Sequence, residues 1–180
     1  MHTIITPADL GGAALRALKE WLAISTANDD AALIRLLHAA VEICGAYTDT
    51  IPLAVTAEET HGARRDWRCL AARPVHGIIG VDALGTDGTR VPLPADAYDL
   101  ELEGDGRGCF RVLRQLEANR IVLRYIAGLA PDWEGLPDAL RHGIIRLAAQ
   151  QFRERDAAAP LTPPTAVAAL WRPWRRLRVA

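Results

Sequence analysis

Hydrophobic positions recur along this chain with two different periods, and the changes of period divide it into three stretches. Thr6-Pro7 has the form of an N-cap followed by proline at the first helical position, after which Leu15, Leu18 and Leu22 recur at steps of three and four residues. Ser25 to Asp30 breaks the pattern with turn-forming and capping residues. From about Asp30 to Tyr47 the apolar set Leu33, Leu37, Ala40, Cys44 and Tyr47 again steps by three or four, which lays one stripe along a helix face. The spacing predicts two packed helices within residues 7–48.

Between Ile51 and Ala127 the period falls to two and turn residues punctuate it, as in an antiparallel sheet. Asp87-Gly88 lies between Val75–Leu84 and Arg90–Leu93, and Asp105-Gly106 between Tyr98–Leu102 and Cys109–Leu113. Asp-Gly supplies the positive φ angles that two-residue hairpin turns need. Glu101 and Glu103 alternate with Leu100 and Leu102 and read as the solvent face of a strand; Ile121, Leu123 and Tyr125 alternate with Val122, Arg124 and Ile126 in another, ending at Gly128. Pro137 then opens a third long helix, with Leu140, Ile144, Leu147, Ala148, Gln151 and Phe152 on one face and Arg141, Arg146, Gln150 and Arg153 largely opposite. It ends near Asp156, and a short helix follows from about Pro164 to Leu170, with Thr162 or Thr165 as its cap. The whole pattern predicts an α+β fold: a helical bundle from both ends of the chain (7–48 and 137–155) with an antiparallel sheet inserted at 51–127. Residues 1–158 read as one domain, and residues 159–180 as a proline-rich linker, a short helix and a tail.

That tail, Trp171-Arg-Pro-Trp-Arg-Arg-Leu-Arg-Val-Ala180, holds two tryptophans and four arginines with no acid to balance them. Trp and Arg are the residue types that most often anchor interfaces. Trp171, Arg172, Trp174, Arg175, Arg176 and Arg178 are therefore the candidate docking set. Pro160, Pro163 and Pro164 are expected to separate this segment from the body, so that removing Leu170–Ala180 leaves the body folded.

Composition narrows function mainly by exclusion. With 21 basic and 22 acidic residues and a net charge of −1, nothing global favours nucleic acid or an anionic membrane, and any such binding has to be local. Cys44, Cys69 and Cys109 are odd in number, widely spaced and without a Cys-x-x-Cys pair, so their spacing indicates neither a disulfide framework nor a zinc site, and a reducing compartment is expected. The N-terminal residues lack the basic and apolar regions of a signal peptide, and no apolar stretch of about 18 residues is read as a membrane span.

No residue set forms a recognisable catalytic site, and no cofactor or metal is expected. His38 and Glu42 stand four apart on the second helix, but without a third ligand they read as a hydrogen-bonded surface pair. Gly104-Asp-Gly-Arg-Gly108 lacks the Gly-Lys-Ser/Thr ending of a phosphate loop and reads as a hairpin turn. Aligned on Glu101, the acidic run starting at Asp96 places Val112 where a calcium loop needs a bidentate Glu. The histidines at positions 2, 61, 76 and 142 accompany no nucleophile motif.

Four stretches together resemble the head-tail connector, or adaptor, proteins of long-tailed phages and phage-like gene transfer agents. They are Leu18-Lys-Glu-Trp-Leu-Ala-Ile24 through Tyr47-Thr48; Arg73-Pro-Val-His-Gly-Ile-Ile-Gly-Val81 with Asp87-Gly88 and Ala97-Tyr98; Leu136-Pro-Asp-Ala-Leu-Arg141 through Gln151-Phe-Arg-Glu-Arg155; and Pro163-Pro164-Thr-Ala-Val167 to Trp174-Arg-Arg-Leu-Arg178. The resemblance implies a non-enzymatic ring, commonly of twelve copies, in the neck of a virion or virion-like particle assembled in the bacterial cytoplasm. Its partners would be the portal protein, a stopper or tail completion protein, further copies of itself, and DNA passing through the channel without sequence specificity. It also implies that the C-terminal segment reaches toward the portal, while Asp87, Gly88, Asp105, Gly106 and Arg107 at the hairpin tips are candidates for contacts between subunits or to the stopper. The alternative from another class is a small nucleic-acid-binding protein that uses the Arg/Trp tail. Four arginine–phosphate contacts would then give a log–log salt slope of roughly −3 to −4.

Overall fold

A computed structural model describes residues 2–154 and 162–176 of the chain. In chain order the elements are β1 (His2–Thr6), α1 (Ala13–Leu22), α2 (Asp30–Thr48), β2 (Val55–Gly62), β3 (Arg68–Cys69), β4 (Val75–Leu84), β5 (Arg90–Pro92), β6 (Tyr98–Leu102), β7 (Gly108–Val112), β8 (Arg120–Ala127), α3 (Asp138–Arg153) and α4 (Thr165–Trp171), with 3-10 turns at Ala95–Ala97 and Arg172–Trp174. This is an α+β fold with antiparallel sheets. The chain divides into two compact units, one of Met1–Pro7 with Ala54–Leu129, the other of Ala8–Leu53 with Ala130–Ala180.

The first unit is built on β8. Its neighbours in a five-stranded sheet follow the order β1-β2-β8-β4-β5, and a smaller sheet has the order β3-β7-β6. Ile121, Leu123, Tyr125 and Ala127 of β8 all point to the buried side, as strand alternation requires, and Val122 is buried as well. Residues 2–6 were not expected in the sheet. They pair with β2, from His2 opposite Glu59 to Thr6 opposite Thr56, because the outer edge of β2 otherwise leaves its N–H and C=O groups unpaired.

The first helix accordingly starts at Ala13, six residues after Pro7. Asp9 accepts the Gly11 N–H in a turn (2.8 Å), and Gly12 is the residue before the helix. In the second unit α1, α2, α3 and α4 pack on one another. The stripe read along α2 is buried at Leu33, Leu37, Ala40 and Cys44, with Thr48 rather than Tyr47 as its last member. By length and a mean hydropathy of 1.2, α2 is also a helix that could cross a membrane, contrary to the sequence reading. Leu33, Leu37, Ala40 and Cys44 are the apolar residues that it buries. On α3 the buried side comprises Leu140, Gly143, Ile144, Ile145, Leu147, Ala148 and Ala149.

Candidate functional site

Pro164 precedes α4 and its carbonyl accepts the N–H groups of Val167 and Ala168, so the helix begins at the first residue after the Pro-Pro pair. Four residues apart, Val167 and Trp171 share one face, and both are buried in the second unit. The Trp171 indole is completely inaccessible, donates from Nε1 to the Leu140 carbonyl (3.4 Å), lies 6.1 Å from the Tyr47 ring and occupies the space that a side chain at Gly143 would fill. Trp171 therefore already has its partner within the chain. The proline-rich stretch does not isolate it from the body, and removing Leu170–Ala180 takes a large aromatic out of a closed core.

Beyond Trp171 the chain remains fastened. The Arg176 N–H donates to the Thr48 carbonyl (3.1 Å), one of the carbonyls left over at the C-terminal end of α2, and the Arg175 guanidinium lies 5.4 Å from the Tyr47 ring centroid. A backbone donor and one cationic side chain are thus brought to the negative end of the α2 dipole. Arg172 and Arg175 are exposed, while Trp174 and Arg176 are half-buried. Arg178 lies outside the described residues.

The two hairpin tips are built alike. Gly85 N–H donates to the Thr89 carbonyl and Glu103 N–H to the Arg107 carbonyl, so each loop encloses three residues rather than the two expected, with Gly88 (φ 87°) and Gly106 (φ 84°) in the left-handed position. Asp87 holds Thr89 through its N–H (3.0 Å) and hydroxyl (2.6 Å), and Asp105 holds the Arg107 N–H (3.1 Å) and guanidinium (2.9 Å). These bonds lower both carboxyl pKa values, Asp87 through the Thr89 hydroxyl first and Asp105 through the Arg107 N–H first. The tips differ in one respect: the Gly106 carbonyl accepts the Val75 N–H at the start of β4, which ties the second loop down. On β6 both faces are exposed, Leu100 and Leu102 as well as Glu101.

Two features of this unit escaped the sequence reading. Cys69 and Cys109 stand directly opposite each other on β3 and β7 and form a disulfide, with Cα atoms 3.9 Å apart. They stand 40 positions apart in sequence, so only the strand register reveals the pair, and the reading of these cysteines as unpaired is corrected accordingly. Glu103 lies beside the two sulfurs, but sulfurs bonded to each other have no thiolate to offer a metal. Cys44 remains a free thiol, which burial pushes up to about 12.

The second is Glu59, a fully buried carboxylate at an inward position of β2. Burial alone would raise its pKa. Hydrogen bonds from His61 (3.0 Å), the Ala71 N–H (3.1 Å), the Tyr125 hydroxyl (2.8 Å) and the Ala72 N–H (3.2 Å) outweigh that and bring it to about 2, while burial and then Glu59 itself push the Tyr125 phenol up. A carboxylate whose oxygens are occupied in this way clasps residues 71–72 to the sheet and is a poor base. On the other face Glu58 receives Arg124 and Arg90 (2.8 and 2.9 Å), which lower its pKa against the opposing effect of burial. His38 and Glu42 of α2 form neither hydrogen bond nor ion pair among the described residues, so they are not the pair expected.

No family model matches the sequence, and no curated protein matches it either. Solved structures do. A chain in the neck of an empty GTA particle computed with C6 symmetry superimposes with a TM-score of 0.80 at 23% identity, and one in the neck of a native GTA particle computed with C12 symmetry with 0.78 at 24%. A chain in the virion of a native gene transfer agent particle gives 0.76 at 25%. Each match covers 100% of this chain and 97% of the other. This is the fold of a gene transfer agent neck chain. The likeness extends over both chains from end to end, and both units belong to the match.

Proposed function

We propose that this chain is a non-enzymatic structural component of a gene transfer agent neck, an adaptor that closes into a ring between the portal and a stopper or tail completion protein. The observation carrying this reading is the end-to-end correspondence with neck chains. A ring of twelve copies surrounding the path of DNA is proposed from the C12 symmetry of one of those necks, with assembly in the bacterial cytoplasm before the particle leaves. The helices from both ends of the chain form the bundle of each subunit, and the inserted sheet carries its outward contacts. Asp87 and Gly88 on the untethered tip, with Asp105, Gly106 and Arg107 on the other, meet a neighbouring subunit or the stopper.

Portal docking is assigned to the tail as the fold presents it. Trp174 is the aromatic anchor, with Arg172, Arg175, Arg176 and Arg178 around it, and Trp171 holds α4 in place from inside. Truncating an interface tryptophan typically costs about 2 kcal/mol or more, whereas an exposed ion pair contributes about 0 to 1, so Trp174 should outweigh any single arginine. The test is recovery of purified variants on portal-containing heads. Trp174→Ala is expected to reduce recovery more than Arg172→Ala or Arg175→Ala while leaving the melting temperature nearly unchanged. Full recovery with Trp174→Ala, together with loss in an Arg172/Arg175/Arg176/Arg178→Ala variant, would replace the aromatic anchor by an electrostatic one.

A further inference from the structure

Arginines also gather away from the tail. In the first unit, the segment after β2 and the segment between β7 and β8 lie side by side, joined by the Ala63 N–H to the Asn119 carbonyl (2.9 Å) and the Val112 N–H to the Arg64 carbonyl (2.9 Å). Between them lies a cleft of about 410 Å³ whose polar side chains are Arg64, Arg65, Arg114, Gln115 and Asn119. No carboxylate lines it. Among the described residues the Arg64 and Arg65 side chains have no ion-pair or hydrogen-bond partner, and Arg114 has only a loose, exposed contact with Asp96 at 3.4 Å. Outside the cleft, Arg111 is held by Asp99 (2.7 Å) and lies 4.8 Å over the half-exposed Trp67 ring, while Arg68 and Arg120 add two more exposed guanidiniums on the same two segments.

Six arginines on these two short segments, 64–68 and 111–120, stand against two acids within them, Asp66 and Glu117, in a chain whose net charge is −1. Leaving guanidiniums unpaired beside one another costs free energy through mutual repulsion, which an anion relieves. The position is also fixed: the loop carrying Arg64, Arg65 and Arg68 is held at its far end by the Cys69–Cys109 disulfide and by the Glu59 clasp on Ala71 and Ala72. Guanidinium groups on a fixed support suit phosphate oxygens, which they engage in bidentate fashion. A protein partner is the weaker fit, since a protein interface usually has an apolar centre and the charged side chains lining this cleft are all arginines.

We propose that the cleft between residues 63–68 and 111–120 seats the phosphate backbone of duplex DNA without regard to sequence. It rests on the neck reading only for which polyanion is encountered; the charge and geometry are properties of the chain itself. Three arginine–phosphate contacts contribute roughly 0.9 each to the slope of log K against log salt.

The experiment is anisotropy titration of a short labelled duplex of mixed sequence with the full-length protein at several salt concentrations. An Arg64→Ala/Arg65→Ala/Arg114→Ala variant is expected to bind about tenfold or more weakly at low salt and to lose about 3 from the slope. Arg64→Lys/Arg65→Lys/Arg114→Lys should restore most of both, and an Arg172/Arg175/Arg176/Arg178→Ala variant should bind like the parent. Unchanged melting temperatures and circular dichroism establish that the variants are folded. A parent protein that does not bind the duplex at low salt, or a triple alanine variant that binds it with an unchanged slope, would overturn the proposal. If the triple variant kept DNA binding but lost incorporation into particles, the cleft would be a seat for an acidic protein surface instead. A chain that binds DNA through the cleft but never enters particles would refute the neck reading and leave the cleft standing, whereas a chain found in necks whose cleft ignores DNA would do the reverse.

Discussion

At Gly143 one missing methyl group decides whether the C-terminal helix closes on its unit. A Cβ there would stand 2.7 Å from Trp171 Cε2 and 2.9 Å from Cδ1, with the indole held by α3 and Tyr47 and unable to retreat. Gly143→Ala is therefore expected to destabilise the protein by about 1–3 kcal/mol despite alanine's higher helix propensity, and Trp171→Ala by about 3–5, measured by denaturant unfolding. Trp174→Ala should cost much less; a larger loss for Trp174 than for Trp171 would contradict the assignment of one to the core and the other to the surface. Val167 and Trp171, four apart, already marked a buried face in the sequence, but the charge around Trp171 drew the reading toward docking. Glu59 was legible only as a carboxylate on the inward alternation of Val55 and Ala57, since its donors lie up to 66 residues away. Its pKa falls from 4.5 to about 2 on folding. The stability it confers is thus present above pH 4.5 and is lost as pH falls toward 2. On the order of 3 kcal/mol is at stake, and Glu59→Gln should flatten the fall in stability across that window. An unchanged acid limb in Glu59→Gln would show that other carboxylates govern it.

Elements with strong local signals were read well: the helix α3, the stripe of α2, the strand β8 and the two Asp-Gly turns. Pairing partners were not, because register is a property of two distant segments. That is why β1 was missed, why the hairpin loops close over three residues, and why Cys69 and Cys109 seemed unrelated. Native protein in its oxidised form is expected to show no rapidly reactive thiol, one after denaturation and three after reduction, as Cys44 is buried with a raised pKa. Three thiols in denatured, unreduced protein would refute the disulfide. Closing a loop of 40 residues corresponds to about 4 kcal/mol in the chain-entropy account, so Cys69→Ser/Cys109→Ser should lower stability by an amount up to that size. At the other hairpin, the hydrogen bonds of the Asp87-Gly88 tip among the described residues lie within its own turn. Deleting Thr86–Thr89 is expected to leave a folded protein that assembles poorly into particles; normal particle yield would remove this tip from the contact surface.

For the whole molecule, the sequence pattern conveyed class and order, α+β with a sheet inserted between helical stretches, and the comparison of folds supplied the setting. Nothing in 180 residues spells out a ring, since closure depends on surfaces meeting between copies rather than on any motif within one. The central claim is that this chain is a ring-forming neck component, and cryo-electron microscopy of the necks of purified particles bears on it most directly. The expected map contains this fold in twelve copies as one ring against the portal, with Trp174 at the portal surface and Trp171 inside each subunit. A neck whose rings are all accounted for by other chains would contradict the account.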